Sequence, residues 1–130
     1  MKILALDLGE KRTGLALLNE EFIVGAGTIG GYGNLGKMLA ELDGVLKKEG
    51  VTQIVYGLPF SKSGEQGEKY KAIASAIGKR FKLPMASIDE TLTTVEAQRR
   101  NGKEHEDNEE AAKIILEDYL NQRIAKKQQA

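Results

Sequence analysis

The chain has 130 residues, of which 41% are hydrophobic and 29% charged, proportions that are ordinary for one soluble globular domain. It contains no cysteine and one histidine, which excludes disulfides, thiolate metal sites and multi-histidine zinc sites. Its 19 basic residues balance 19 acidic ones, so it lacks the overall positive charge typical of domains that bind nucleic acid mainly by electrostatics. We predict a single domain over residues 1–130. We expect it in the cytoplasm, because Asp7 interrupts the apolar start too early for a signal peptide or a membrane span.

The first part of the chain is predicted to form three consecutive strands. Residues 3–8 are an almost continuous apolar run, which is typical of a strand buried on both faces. A turn over 9–12 and a second apolar stretch over 13–18 follow, and a polar connection leads to a third strand over 22–29. Because the connections are short, two successive antiparallel hairpins are the simplest topology.

The remainder of the chain alternates helices and strands after a glycine-rich break. The predicted elements are, in order, a helix over 35–46 that ends near Gly50, a strand over 53–56, a helix over 70–81, a strand over 84–89, a short helix from 93 and a last helix from about 107. Right-handed crossovers would place the later strands parallel to the first. We therefore predict an α/β fold of RNase H-like architecture, in which helices flank a five-stranded mixed sheet.

One carboxylate stands where a charge is costly. Asp7 ends an otherwise apolar strand, and a carboxylate in that position must be solvated, paired or bound to a metal. Two interpretations are open at this point. Asp7 either caps the turn over 9–12 or pairs with Lys11 or Arg12, or it is a metal ligand. Arg12 in turn either binds a phosphate or holds the hairpin.

Four motifs in chain order resemble the YqgF/RuvX family and together span nearly the whole chain. They are Asp7-x-Gly9-x-x-Arg12-x-Gly14-x-Ala16, Gly57-Leu58-Pro59, Asp89-Glu90-Thr91-Leu92-Thr93-Thr94 and Ala111-Ala112-x-x-Ile115-Leu116-x-x-Tyr119-Leu120. The resemblance implies an RNase H-like fold related to the RuvC resolvases. It also implies a nuclease associated with maturation of the 5′ end of 16S ribosomal RNA, with Holliday junction resolution as the alternative activity.

The activity that the resemblance implies would use divalent ions, and Mg²⁺ or Mn²⁺ needs oxygen ligands that converge from separate elements. Asp7 supplies one carboxylate, and Asp89 or Glu90, at the end of the last strand, supplies a second. Adjacent residues of a strand point to opposite faces, so one of these two reaches the ion with Asp7, and we favour Asp89. The predicted catalytic residues are Asp7, Asp89, Glu90 and Asp107, and the predicted metal ligands are Asp7, Asp89 and Asn108.

Two positions depart from the family pattern. Thr91 stands where the family usually has an arginine, and Asn108 stands where it has an aspartate, three residues before the Ala-Ala pair. An amide oxygen binds Mg²⁺ without adding negative charge, so Asn108 lowers the expected metal affinity. Asp107 either replaces this ligand or caps the last helix. These departures keep a third function open, that of an RNA-binding factor in ribosome biogenesis that does not cut.

Basic residues close to the motifs are predicted to contact phosphates of nucleic acid. Arg12 lies within the first motif, Lys62 follows the Gly57-Leu58-Pro59 motif, and Arg99 and Arg100 follow the Asp89 motif. The predicted partner is an rRNA precursor or branched DNA, and no membrane partner is expected. The sequence does not decide between RNA and DNA, since that choice depends on groove shape and 2′-hydroxyl contacts.

Overall fold

The computed structural model describes residues 2–59, 65–90 and 108–129. Helices and strands alternate along them after three initial strands. The elements are β1 (Ile3–Asp7), β2 (Arg12–Asn19), β3 (Phe22–Gly30), α1 (Leu35–Glu49), β4 (Gln53–Pro59), α2 (Glu65–Phe81), β5 (Met85–Glu90) and α3 (Asn108–Gln129), with one turn of 3-10 helix at Tyr32–Asn34 before α1. Within these ranges, no helix combines the length and the apolar character needed to cross a membrane.

The described strands form one mixed sheet in the order β3-β2-β1-β4-β5. β2 pairs antiparallel with both β1 and β3, whereas β4 pairs parallel with both β1 and β5. The two antiparallel pairs follow from short connections, and the parallel pair β1–β4 follows from the crossover through α1. The predicted five-stranded mixed sheet and the predicted directions of its strands are confirmed.

β4 is longer than its apolar centre predicts. We predicted a strand over 53–56, but the parallel pairing with β5 continues through Gly57, Leu58 and Pro59. Proline cannot donate to a ladder, and it stands here at the last residue of the strand, where pairing ends. The extension carries β4 and β5 beyond the level of Asp7, so that the carboxyl ends of three strands lie at one edge of the sheet.

Two hydrophobic layers cover the sheet, and side chains of β1 alternate between them. Leu4 and Leu6 pack in the layer formed with α1 and α2, while Ile3 and Ala5 pack in the layer formed with α3. All four side chains are fully buried, as the continuous apolar run predicted. Burial of each large apolar side chain contributes about 1.5–3 kcal/mol, so the central strand is strongly fixed between the layers.

Local signals set both ends of α1. The Asn34 side chain accepts a hydrogen bond of 3.2 Å from the Lys37 amide, which satisfies a donor of the first turn. Gly50 has a φ of +66° and donates to the Leu46 carbonyl at 3.0 Å. The predicted stop at Gly50 is confirmed, because this left-handed cap is a conformation that glycine adopts without strain.

α3 crosses the sheet from the carboxyl end of β1 to the amino end of β4. At its start, the backbone of Asn108 lies against Gly14, the residue of β2 that pairs with Asp7. Further along, the Tyr119 hydroxyl accepts a hydrogen bond of 2.8 Å from the Gln53 side chain at the start of β4. The N-terminus of α3 therefore lies at the edge of the sheet where β1 ends.

Candidate functional site

Asp7 is the last residue of β1, and only 6% of its surface is exposed. It is in phase with Ile3 and Ala5, so strand alternation places it on the face of the sheet that α3 covers. The first turn of α3 lies beside it, because Gly14 pairs with Asp7 and contacts Asn108. The N-terminal end of a helix carries partial positive charge, which lowers the cost of holding a buried carboxylate nearby.

Gly14 allows this close approach of α3 to β2. A Cβ atom at residue 14 would overlap the carbonyl group of Asn108 and lie 2.8 Å from the backbone nitrogen of Glu109. Both obstacles are backbone atoms, which cannot rotate away as a flexible side chain can. The second glycine of the first motif therefore sets how near the start of α3 comes to Asp7.

Glu109 ties the first turn of α3 to β3. Its carboxylate accepts a hydrogen bond of 2.7 Å from the Gly27 amide, and its side chain packs against Gly25. Gly27 has a φ of +83° at an irregularity in the β2–β3 pairing. Glu109 was not among the predicted site residues. Two glycines inside an apolar strand are a signal of a bulge, which marks this as a place where another element approaches.

The register of β5 separates Asp89 from Glu90. Ile88 packs in the α3 layer, so its position is in phase with that of Asp7. Asp89, the next residue, lies on the opposite phase and its side chain is exposed. The position of Glu90 returns to the phase of Ile88. We favoured Asp89 from the sequence, and alternation along β5 places residue 89 on the face opposite to that of Ile88.

The turn between β1 and β2 is held by the glycine-rich segment that follows β3. Three successive amides of segment 31–33 donate to the carbonyls of turn 9–11: Gly31 to Lys11 at 3.0 Å, Tyr32 to Gly9 at 2.9 Å and Gly33 to Glu10 at 2.8 Å. A Cβ atom at Gly31 would overlap the carbonyl oxygens of Gly9 and Glu10. Residue 31 must therefore be glycine for segment 31–33 to bind the turn that separates Asp7 from Arg12.

Arg12 begins β2 and its side chain is exposed. It is in phase with Gly14 and Ala16, which places it toward the α3 side of the sheet, at the same edge as Asp7. Arg12 is thus the predicted phosphate contact that the structure brings near Asp7. The other predicted residues Lys62, Arg99, Arg100 and Asp107 lie outside the described residues.

Two residues that carry oxygen donors come close at this edge. They are the carboxylate residue Asp7 and the amide residue Asn108, whose backbone lies against the Gly14 that pairs with Asp7. Such a set suits Mg²⁺ or Mn²⁺ and is unlike the nitrogen and sulfur ligands typical of structural zinc. Among the described residues, no three His, Cys, Asp or Glu side chains are close enough together to hold an ion.

A further acidic group on α3 lies too far away to join them. Burial raises the pKa of the Asp118 carboxyl, but this residue lies about 15 Å along the helix from Asn108, at the usual rise per residue. The raised pKa is therefore a property of the helix's packing and not of the Asp7 edge.

The topology defines an RNase H-like fold, with an acidic residue at the end of the first strand. Two solved structures are similar. The fowlpox virus Holliday junction resolvase matches with a TM-score of 0.59 and 11% sequence identity, covering 94% of this chain and 99% of that one. RuvC of T. thermophilus, in complex with a Holliday junction substrate, matches with a TM-score of 0.55 and 11% identity, covering 69% and 66%. At these identities the likeness concerns the fold.

Sequence comparison adds the family. The RuvX family model, described as a Holliday junction resolvase, matches residues 1–122. A protein of Dictyoglomus turgidum is 34% identical over 92% of this chain and 94% of its own, and one of Thermosynechococcus vestitus is 31% identical over 95% and 89%. Both are named "Putative pre-16S rRNA nuclease". The chain therefore belongs to the RuvX family, which confirms the resemblance carried by its four motifs.

Proposed function

We propose that this chain is a divalent-metal-dependent endonuclease that matures the 5′ end of the 16S rRNA precursor. The coarser class, a hydrolase that cuts phosphodiester bonds, follows from the family. The observation that carries the proposal is the buried Asp7 carboxylate at the end of β1, beside the N-terminus of α3. The names of the two relatives support the rRNA substrate.

The proposed site draws on three elements. Asp7 from β1 and Glu90 from β5 would supply carboxylates to the ion, and Asn108 from α3, or Asp107 before it, would supply a further oxygen. A divalent ion held there would neutralise negative charge on the phosphate under attack. Arg12, exposed at the same edge, would hold a phosphate of the substrate and so orient the strand to be cut. In this proposal Glu90 takes the place that the sequence alone gave to Asp89.

The choice of substrate is tested by incubating one preparation of the purified protein with three nucleic acids in the presence of Mn²⁺ and measuring cleavage of each. We expect cleavage of an RNA that spans the 5′ end of 16S rRNA with its leader, and no cleavage of the mature 5′ end or of a four-way DNA junction. Cleavage of the junction alone would contradict the rRNA proposal and favour the resolvase named by the family description. Salt-sensitive binding of the precursor without any cleavage would favour the non-cutting factor, the function that Asn108 keeps open.

Asn108→Asp is expected to tighten Mn²⁺ binding by about tenfold or more, because metal affinity rises with the number of charged ligands. Asn121→Asp is the matched control, since it adds the same charge to an exposed position further along α3. The dissociation constants are measured by isothermal titration calorimetry with Mn²⁺ alone. An equal gain in both variants would show that the effect is general electrostatics, and no gain in either would remove Asn108 from the site.

A further inference from the structure

Four successive carbonyl groups of the chain that leaves β1 each accept a hydrogen bond. Three of the donors are the backbone amides of segment 31–33. The fourth is a side chain of α2, because the Tyr70 hydroxyl donates to the Leu8 carbonyl at 3.2 Å. Together the four donors hold the backbone from the residue after Asp7 to the residue before Arg12.

Tyr70 binds the chain just beyond the point where the pairing of β1 with β4 ends. The parallel pairing of β1 with β4 ends at Leu6, one residue before Asp7. The Tyr70 hydroxyl holds the carbonyl of Leu8, one residue after Asp7. A hydrogen bond to this carbonyl fixes the plane of the Leu8–Gly9 peptide. The backbone of Asp7 is thus held between a ladder position and a side-chain hydrogen bond.

The surroundings of Tyr70 keep its hydroxyl in place. The side chain is 5% exposed and packs in the layer formed with α1 and α2. The ring of Tyr32 meets it edge to face at 5.9 Å, and the Lys69 ammonium lies 4.8 Å from the Tyr32 ring centroid. Because a tyrosine has few rotatable bonds, a ring packed in this way presents its hydroxyl in one direction.

Tyr70 and Asp7 lie on opposite faces of the sheet. Tyr70 belongs to the α1 and α2 layer, whereas strand phase places Asp7 toward α3. The contact that Tyr70 makes with the chain beside Asp7 is a hydrogen bond to the backbone, at the Leu8 carbonyl. We propose that Tyr70 is a positioning residue for Asp7, which it serves by holding the Leu8 carbonyl. This role rests on the function proposed above, in which Asp7 binds the divalent ion.

The test compares Tyr70→Phe with Tyr119→Phe. Each variant keeps its ring and loses one hydroxyl. The change removes the 3.2 Å bond to Leu8 in Tyr70→Phe and the 2.8 Å bond from Gln53 in Tyr119→Phe, and Tyr119 lies at the opposite end of the sheet. We expect the amides of Tyr32 and Gly33 to exchange with solvent about fivefold faster in Tyr70→Phe, as the loss of one hydrogen bond permits. We expect Mn²⁺ affinity to fall about tenfold, within the range found for outer partners of metal ligands. Tyr119→Phe should change neither.

Kinetics give a third readout, in which Tyr70→Phe lowers kcat and leaves the KM for nucleic acid unchanged. Wild-type exchange at segment 31–33, or wild-type Mn²⁺ affinity, in a folded Tyr70→Phe protein would overturn the proposal. Equal losses in Tyr70→Phe and Tyr119→Phe would also overturn it, since they would reflect general destabilisation. Failure of the proposed function shows separately, as unchanged Mn²⁺ binding in Asp7→Asn, whereas the exchange measurement on Tyr70→Phe needs no metal.

Discussion

Asp7→Asn is expected to lower the rate of Mn²⁺-dependent cleavage by at least about a thousandfold, the scale of loss when a central group of an active site is removed. The buried carboxylate would lose the charge by which it holds a divalent ion beside the substrate phosphate. Asparagine has nearly the same shape and a smaller desolvation cost, so the fold should be retained. Single-turnover cleavage of the rRNA precursor measures the rate, and circular dichroism checks the fold.

Asp43→Asn is the matched control for this change. It makes the same replacement of a carboxylate by an amide, but at a residue of α1 that forms an ion pair of 3.0 Å with Lys47. An exposed pair of this kind contributes about 0.3–0.5 kcal/mol, so both stability and cleavage should stay near wild type. If Asp7→Asn cuts as fast as Asp43→Asn, the activity comes from a contaminant or from a site elsewhere on the chain.

Gly14→Ala is expected to reduce both stability and activity. The added Cβ would overlap the backbone carbonyl of Asn108, so α3 must move away from β2. Overpacking of this kind costs about 1–3 kcal/mol, and we expect the upper end because the obstacle is backbone. A shift of about 1 Å between groups that act together can cost roughly a hundredfold in rate, so cleavage should fall even where the variant is fully folded. Urea denaturation measures the loss of stability. The loss of activity is measured separately, as kcat in the absence of urea, where the variant is folded.

Gly44→Ala provides the opposite case for the same substitution. Gly44 lies on the exposed side of α1, and an added Cβ would meet nothing within 4 Å. Alanine is a better helix former than glycine, so the free energy of unfolding should rise by about 0.5–1 kcal/mol with no change in cleavage. Wild-type stability in Gly14→Ala would contradict the close contact between α3 and β2 on which the site depends.

The fold was predictable because its signals are local. The continuous apolar run of β1 indicated burial on both faces, and Gly50 marked the end of α1. Short connections then determined the antiparallel pairs, and crossovers determined the parallel ones. The position of Asp7 at the end of β1 was predictable for the same reason, since it depends only on where an apolar run stops.

The choice between Asp89 and Glu90 could not be made from the sequence in the same way. It depends on which residue of β5 faces α3, and that is decided by the packing of Ile88 against a helix that comes much later in the chain. A shift of one residue exchanges the two faces, so a pattern within β5 alone leaves both acids open.

The contacts that hold the site together were also missed, because they join residues distant in sequence. Tyr70 donates to Leu8 across 62 positions, and Glu109 accepts from Gly27 across 82. Tyr70 recurs with apolar residues at helical spacing along α2, and its side chain is buried, with 5% of its surface exposed. The spacing says nothing about the partner of its hydroxyl, which depends on how α2 docks on the end of β1.

The most direct test of the account is a crystal structure of this chain soaked in Mn²⁺, with anomalous scattering used to locate the ion. We predict a peak about 2.0–2.2 Å from a carboxylate oxygen of Asp7, with oxygens of Glu90 and Asn108 among its other ligands. A structure in which Mn²⁺ binds Asp89 and leaves Asp7 without metal contact would contradict the account.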